Sequence, residues 1–130
     1  MSAQAYAPRG TITRLQRFQR YFRPGFLIWL DENWHIYQQF ERQALDLVAA
    51  GWDHFSARTI VEEIRHYTRH AARGNDEAFK VNGNWVPDLG RIFTICYPEY
   101  AGLWEYRRAD WRDFLDAVER SKKRKGRRAA

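Results

Sequence analysis

Two Glu-x-x-His pairs are the first residues in the sequence whose spacing suggests metal chemistry. Glu32 with His35, and Glu63 with His66, match the pattern that helices of di-iron bundles use to present metal ligands. At about 100° per residue, however, each histidine lies roughly 160° from the apolar stripe of its helix and therefore points to solvent. His66 and His70 share a helix face, but no third ligand accompanies them. We therefore expect no metal site and no metal cofactor.

Cys96 is the only cysteine and the only candidate thiol nucleophile. A thiol acts as a nucleophile only beside a base, and Cys96 falls on an apolar helical stripe, which is typical of a small buried side chain. One cysteine forms neither an internal disulfide nor a zinc finger. The sequence also lacks a Gly-x-Ser-x-Gly motif, a phosphate-binding glycine loop and a dinucleotide fingerprint. We expect no catalytic residues, no cofactor and no enzymatic activity.

Arginine and lysine carry the remaining chemistry, which is the binding of phosphate groups. The net charge is +6, but residues 31–110 hold nine basic and thirteen acidic residues. Residues 1–30 hold five arginines and no acid, and residues 111–130 hold eight basic and three acidic residues. A basic segment favours polyanions such as nucleic acid. The predicted phosphate contacts at the two ends are Arg14, Arg17, Arg20, Lys122, Lys123, Arg124, Lys125, Arg127 and Arg128.

A third basic set lies on a helix predicted over about residues 57–73. Four arginines fall within about 80° of one another, opposite its apolar stripe. They are Arg58, Arg65, Arg69 and Arg73. With the preceding helix at about 33–50 and a five-residue turn containing Gly51, this segment resembles a helix-turn-helix pair, whose second helix enters the major groove. The alternative is a solvated face stabilised by pairs between Glu62 and its arginine neighbours.

Helices are the elements predicted to position these residues. Periodic apolar positions predict helices over about 11–21, 33–50, 57–73, 85–97, 98–108 and 110–119. Thr11 or Thr13 is the expected cap of the first helix, and Asn33 that of the second. The segment Phe79–Val86 is compatible with a hairpin around Asn-Gly or with a helix capped by Asn84, and we favour the helix.

The expected fold is a single, mainly α domain of five or six helices with a helix-turn-helix-like pair. Its predicted parts are a basic N-terminal arm with a short amphipathic helix (1–30), a helical domain (31–119) and a basic disordered tail (120–130). The 130 residues are 45% hydrophobic and 16% aromatic, which excludes a chain that is disordered throughout. The longest apolar run, Phe26–Leu30, is too short to span a membrane, and no secretory signal is evident. We expect a cytoplasmic protein that binds no membrane.

Five pieces of the chain carry a resemblance to known sequences. They are Phe40–Leu45, Phe55–Arg65, Phe79–Asn82, Arg91–Phe93 leading into Tyr97–Glu99, and Gly102–Arg107. Through them, residues 33–107 resemble a group of small, mostly uncharacterised proteins encoded in bacteriophages and prophages. The stretch Asn82–Asn84 departs from the consecutive asparagines expected there. The resemblance implies a small helical accessory protein of phage origin that acts inside a bacterial cell, and it implies no activity.

Together these patterns favour a non-catalytic, nucleic-acid-binding protein with a regulatory role, and DNA is the expected ligand. The alternative is a protein-interaction module, such as a phage inhibitor of a host or defence complex. Aromatic residues and arginine dominate the energetics of protein interfaces, and both are abundant here. The expected partner is therefore nucleic acid or a bacterial host protein complex, and the sequence predicts no oligomeric state.

Overall fold

Helices make up most of the chain that the computed structural model describes, which is residues 7–72, 85–104 and 110–129, with side chains for 7–66, 85–104 and 111–122. The α-helices there are α1 (Arg9–Gln16), α2 (Phe26–Glu32), α3 (Trp34–Ala49), α4 (Ala57–Ala72), α5 (Val86–Cys96) and α6 (Asp110–Ala129). Two 3-10 segments, Gln19–Tyr21 and Pro98–Leu103, complete the elements. Within those ranges no β-strand occurs, and the predicted mainly α fold is confirmed.

The middle of the fold is occupied by α5. Every residue from Asp88 to Ile95 is buried, and the helix contacts α3, α4 and the Pro98–Leu103 segment. A helix buried on all sides needs no polar face, which accounts for its apolar composition. Pro87 lies in the first turn, where its missing N–H leaves no helical hydrogen bond unmade. The helix predicted at 85–97 matches this element closely.

Residues 7–30 contribute to the same core, so no break in the packing corresponds to the arm boundary predicted at residue 30. Leu15, Phe26 and Leu30 are fully buried, and Phe18 and Phe22 nearly so. Burial of these apolar side chains outweighs the tendency of a charged segment to remain solvated, since each large side chain gains about 1.5–3 kcal/mol on burial. The N-terminal segment is therefore structural as well as basic.

The first helix differs from its prediction at both ends. It begins at Arg9, two residues before Thr11, and its N-cap Pro8 makes no side-chain bond. Thr13 does not cap the helix, because its hydroxyl donates to the carbonyl oxygen of Arg9 at 3.0 Å. The helix also ends at Gln16, and the chain continues to Tyr21 as a 3-10 segment.

Sequence reasoning did not predict α2. Gly25, with φ of +83°, directly precedes this helix, and the continuous apolar run that follows has no helical period to reveal it. Asn33 does not cap α3 with its side chain, since its amide donates to the carbonyl oxygen of Trp29 at 2.9 Å. Asn33 thus provides a hydrogen bond to a carbonyl oxygen in the last turn of α2, and it is the one residue between α2 and α3.

The connection between α3 and α4 has a defined geometry. Gly51 has φ of +95°, and its N–H donates to Val48 while the N–H of Trp52 donates to Leu47, which forms a Schellman motif. Gly51 was predicted at this position. After it, the N–H of Phe55 donates to the carbonyl oxygen of Leu103 at 2.6 Å and ties the turn to the 3-10 segment before α6.

A buried ion pair lies within α5, and its arginine contacts α6. Arg91 donates to Asp88 at 2.9 Å, and the Asp88 side chain is 0% exposed. The Arg91 guanidinium also lies 4.7 Å from the centre of the Trp111 ring and 6.0 Å from that of Phe114. Burial raises the pKa of the Asp88 carboxyl, although the charge of Arg91 and the backbone N–H of Arg23 oppose that shift. The pair therefore depends on each partner remaining in place.

The C-terminal third also departs from its predicted boundaries. Pro98–Leu103 is a 3-10 segment rather than the start of a longer helix, and residues 105–109 are outside the described ranges. The backbone of α6 is helical to Ala129, although the sequence predicted a disordered tail from residue 120. Arg and Lys are good helix formers, which accounts for this continuation. The predicted choice between hairpin and helix cap at 79–86 falls largely on residues that the structure does not describe.

Candidate nucleic-acid interface

A basic groove lies between the N-terminal segment and α6. Its volume is about 630 Å³, and four arginines line it: Arg14, Arg17, Arg20 and Arg120. The other lining residues are Gly10, Thr13, Phe18, Tyr21, Ala117 and Ser121. No carboxylate is present among these lining residues. We call this feature the arginine groove.

The spacing of the arginines follows from the local helix geometry. Arg14 and Arg17 are three residues apart at the end of α1, so they lie on one side of the helix. From there the chain enters a 3-10 segment, in which side chains three apart are eclipsed, and Arg20 continues the row. The intervening Leu15 and Phe18 point into the core. The repeat of arginine at every third residue thus becomes one wall of the groove.

Aromatic contacts hold this wall against α6. The rings of Phe18 and Tyr21 meet the ring of Phe114 edge to face, with centroids 6.2 Å and 5.5 Å apart. The Tyr21 hydroxyl also donates to the carbonyl oxygen of Asp113 at 3.5 Å. The guanidinium of Arg20 lies 4.9 Å from the centre of the Tyr21 ring. These contacts fix the direction in which the wall faces.

A smaller cavity of about 250 Å³ adjoins the groove and shares Arg14, Phe18 and Ser121 with it. Arg14 donates to the carbonyl oxygen of Ile95 at 2.8 Å, which orients its guanidinium between the two spaces. Lys122 lines the smaller cavity and pairs with Glu119 at 3.7 Å. Both of those side chains are well exposed, so the pair is weak and leaves Lys122 available to an anion.

Cys96 lines the same smaller cavity at the end of α5 and is half-buried. Burial raises the pKa of its thiol, against the lowering effects of the nearby Tyr37 hydroxyl and of the Arg14 charge, while Glu41 raises it further. The thiol is therefore neutral near pH 7. A neutral thiol is a poor nucleophile, so the expected role of Cys96 in packing agrees with its surroundings.

Arg120 is a groove residue that sequence reasoning left out of the predicted site. It was counted in the basic run but was not separated from the residues that follow it. Its position three residues after Ala117, which places the two residues on one helix face, was the available signal. The other predicted C-terminal residues, Lys123 to Arg128, lie on the last turns of α6, and their side chains are outside the described set.

The arginines of α4 lie away from the groove. Arg58 is exposed and Arg65 is half-buried, whereas the side chain of Arg69 and all of Arg73 fall outside the described residues. No described residue of α4 lines the arginine groove. Ile60, Val61 and Ile64 are buried as predicted.

The described outer face of α4 is not strongly basic. Glu62 and Glu63 are exposed on the same stretch of helix as Arg58 and Arg65. Two arginines and two glutamates leave this stretch with no net formal charge. The arginine groove is therefore the more attractive of the two surfaces for a phosphate backbone.

The histidines that suggested metal chemistry are separated in the structure. His66 is exposed, as expected, but His35 is half-buried, and its Nδ1 is shielded from solvent without a hydrogen-bond partner. Among the described residues no three His, Cys, Asp or Glu side chains form a group suited to a metal ion. None of the helices in the described ranges has the length and hydropathy needed to cross a bilayer.

Comparison of the chain with models of protein families, with curated proteins and with solved structures finds no match.

Proposed function

We propose that the protein binds nucleic acid through the arginine groove and catalyses no reaction on it. The observation that supports this proposal is the convergence of Arg14, Arg17, Arg20 and Arg120 on a groove without a carboxylate in its lining. Guanidinium groups bind phosphate oxygens with two parallel hydrogen bonds and keep their charge at any physiological pH. Such a groove is suited to a phosphate backbone.

DNA is the ligand that we propose, and the proposed role is that of a regulatory accessory protein. The resemblance of residues 33–107 to phage and prophage proteins supports a phage origin and a site of action in the bacterial cytoplasm. The absence of a membrane-spanning helix from the described ranges is compatible with that location.

Salt dependence follows from the number of phosphates that the groove contacts. If each of the four arginines neutralises one phosphate, affinity falls about 150-fold between 50 and 200 mM salt for a duplex, and about 50-fold for a single strand. This loss arises because binding releases the counterions that surround the nucleic acid. A contact dominated by apolar groups shows no comparable loss.

A pair of matched double variants tests the proposal. Arg17→Gln with Arg120→Gln removes one charge from each wall of the groove, while Arg42→Gln with Arg112→Gln removes two exposed charges elsewhere. Fluorescence anisotropy with labelled DNA is recorded across a salt series. We expect the groove variant to lose about 1.4–1.8 from the slope of log affinity against log salt, and the control to lose nothing. If both variants bind as the parent does, the proposal is wrong.

We further propose that α4, which lies apart from the groove, contacts duplex DNA separately, and that the basic end of α6 extends the groove. In the helix-turn-helix arrangement, Arg58→Ala costs about 1–3 kcal/mol on a preferred DNA site and less on random DNA, because early residues of the second helix contact base edges. A quadruple Ala variant at Arg58, Arg65, Arg69 and Arg73 that binds DNA like the parent would remove α4 from the interface. Deletion of residues 123–130, the basic end of α6, is expected to reduce the slope of log affinity against log salt, because phosphate contacts are lost.

A protein partner is the second candidate function, and an exposed tryptophan favours it. The Trp52 side chain is 53% exposed, and its ring meets Phe55 edge to face, in the turn before α4. Exposed tryptophans are frequent anchors of protein interfaces. In a pull-down from bacterial lysate, this candidate predicts that a partner protein is captured. The capture should persist after nuclease treatment and at high salt, and the Trp52→Ser variant should no longer capture the partner. Capture that nuclease abolishes supports the nucleic-acid proposal instead.

A further inference from the structure

We infer that the arginine groove receives a single strand of nucleic acid, with one base stacked on the guanidinium of Arg20. This inference rests on the proposed function, since it names the form of nucleic acid that the same groove takes. Two properties of the groove support it: its concave shape, and a guanidinium that lies over an aromatic ring in its wall.

The first property concerns where the charges are placed. The four arginines line a recess of about 630 Å³ between two elements instead of standing on a convex surface. That volume lies in the range of pockets that enclose small ligands, so it has room for a short stretch of one strand. A duplex meets proteins through elements that protrude into its grooves, the wider of which is about 12 Å across. A rigid duplex therefore reaches this recess only at its rim.

The second property is the stack formed by Arg20 and Tyr21. The guanidinium lies 4.9 Å from the ring centre, and the Arg20 side chain is otherwise exposed. The ring beneath it is held by Phe114 and by the hydrogen bond to Asp113. Unpaired bases stack on guanidinium planes and aromatic rings, whereas the bases of a duplex are already stacked on one another. This stack is thus a platform that only an unpaired base uses.

Proteins that bind single strands without sequence preference combine the same two features. They pair a positively charged groove, which follows the phosphates, with planar side chains on which bases stack. Here Arg14, Arg17 and Arg120 supply the charge, and Arg20 on Tyr21 supplies the platform. Because Tyr21 is already fixed by its neighbours, little side-chain freedom is lost when a base arrives.

A charge-preserving substitution separates stacking from charge. Arg20→Lys keeps the positive charge and removes the guanidinium plane, and because Arg20 is exposed the fold is retained. Arg112→Lys, at an exposed position outside the groove lining, is the matched control. Tyr21→Leu, checked by thermal unfolding because Tyr21 packs on Phe114, removes the ring beneath the guanidinium.

Anisotropy is measured with labelled single-stranded DNA and RNA of about 16 nucleotides and with the corresponding DNA duplex. We expect the parent to bind the single strands at least about tenfold more tightly than the duplex. Arg20→Lys is expected to lower single-strand affinity about fivefold and to leave both the salt slope and duplex binding unchanged. The Arg112→Lys control is expected to bind all three probes like the parent.

Several outcomes would overturn the inference while leaving the proposed function intact. The first is duplex binding as tight as single-strand binding. The others are an equal loss of affinity for single strand and duplex in Arg20→Lys, and no loss of affinity for either. In each case the proposed function stands provided that Arg17→Gln with Arg120→Gln still weakens binding. If no probe binds, or if that groove variant has no effect, the proposed function itself fails. Tighter binding of RNA than of DNA supports the inference and replaces DNA as the ligand.

Discussion

Arg91→Met removes the cation from the buried ion pair in α5. The Asp88 carboxylate would then remain buried with only the backbone N–H and the charge of Arg23 to offset its desolvation. Removing one partner of a buried pair costs about 3–5 kcal/mol, because the remaining charge is uncompensated. Methionine is similar in length to the arginine stem and fills most of its volume, although the contact of the guanidinium with Trp111 is lost as well. A domain of this size has about 5–15 kcal/mol of stability, so we expect the variant to remain folded.

The loss of stability in Arg91→Met depends on pH, and the direction of this dependence follows from the pKa of Asp88. Burial already raises that pKa, and loss of Arg91 removes a charge that opposes the rise. A carboxyl group with a raised pKa binds its proton more tightly in the folded state, so folding loses stability as the pH rises above about 4. We therefore expect the cost of Arg91→Met to be smallest near pH 4 and largest near pH 7.

Urea denaturation followed by tryptophan fluorescence at both pH values measures this cost. Arg112→Met, an exposed change in α6, is the control and should cost less than about 0.5 kcal/mol. The double variant Asp88→Asn with Arg91→Met should cost less than the sum of the two single variants, since neither charge remains buried. A cost below about 1 kcal/mol at pH 7, or a cost that does not change with pH, would refute the reasoning.

Three further predictions follow from local features of the fold. Gly51→Ala should cost about 1 kcal/mol in thermal unfolding, because only the left-handed backbone at +95° opposes the new methyl group, while Gly102→Ala, with no positive φ, is the control. Cys96→Ala should cost roughly 1 kcal/mol and leave nucleic-acid binding unchanged, and the native thiol should react with a disulfide reagent at pH 8 more slowly than the unfolded chain does. Phe114→Ala should cost about 3–5 kcal/mol, since the ring is fully buried under Phe18 and Tyr21, and a smaller loss would contradict the packing of α6.

The helices α3 and α4 were predictable because their apolar residues recur with the helical period. Ile60, Val61 and Ile64 define the inner face of α4, and the prediction of 57–73 differs from Ala57–Ala72 by one residue. The end of α3 was predictable for a different reason. Only glycine adopts the left-handed conformation without cost, so Gly51, which directly follows an apolar helical stripe, indicates the end of that helix.

The N-terminal segment was harder to interpret because its charge and its burial give opposite indications. Five arginines without an acid are typical of a solvated arm, yet Leu15 and Phe26 are fully buried between them. The arginine groove was not predictable at all, since it requires Arg17 and Arg120 to come together across more than a hundred residues. Spacing within one helix predicts which residues share a face, but not which distant helix covers that face.

The burial of α5 also constrains the order in which the chain acquires its structure during synthesis. This helix has no polar face, so it is not stable in water until its neighbours surround it. Its covering includes the aromatic residues of α6, Trp111 and Phe114, which are translated after it. A nascent chain that ends before residue 110 therefore exposes an apolar helix, together with the face of the Arg91 guanidinium that Trp111 and Phe114 later cover. We expect such fragments to be degraded or to aggregate, so that the N-terminal basic residues become a binding surface only when translation has reached the last helix.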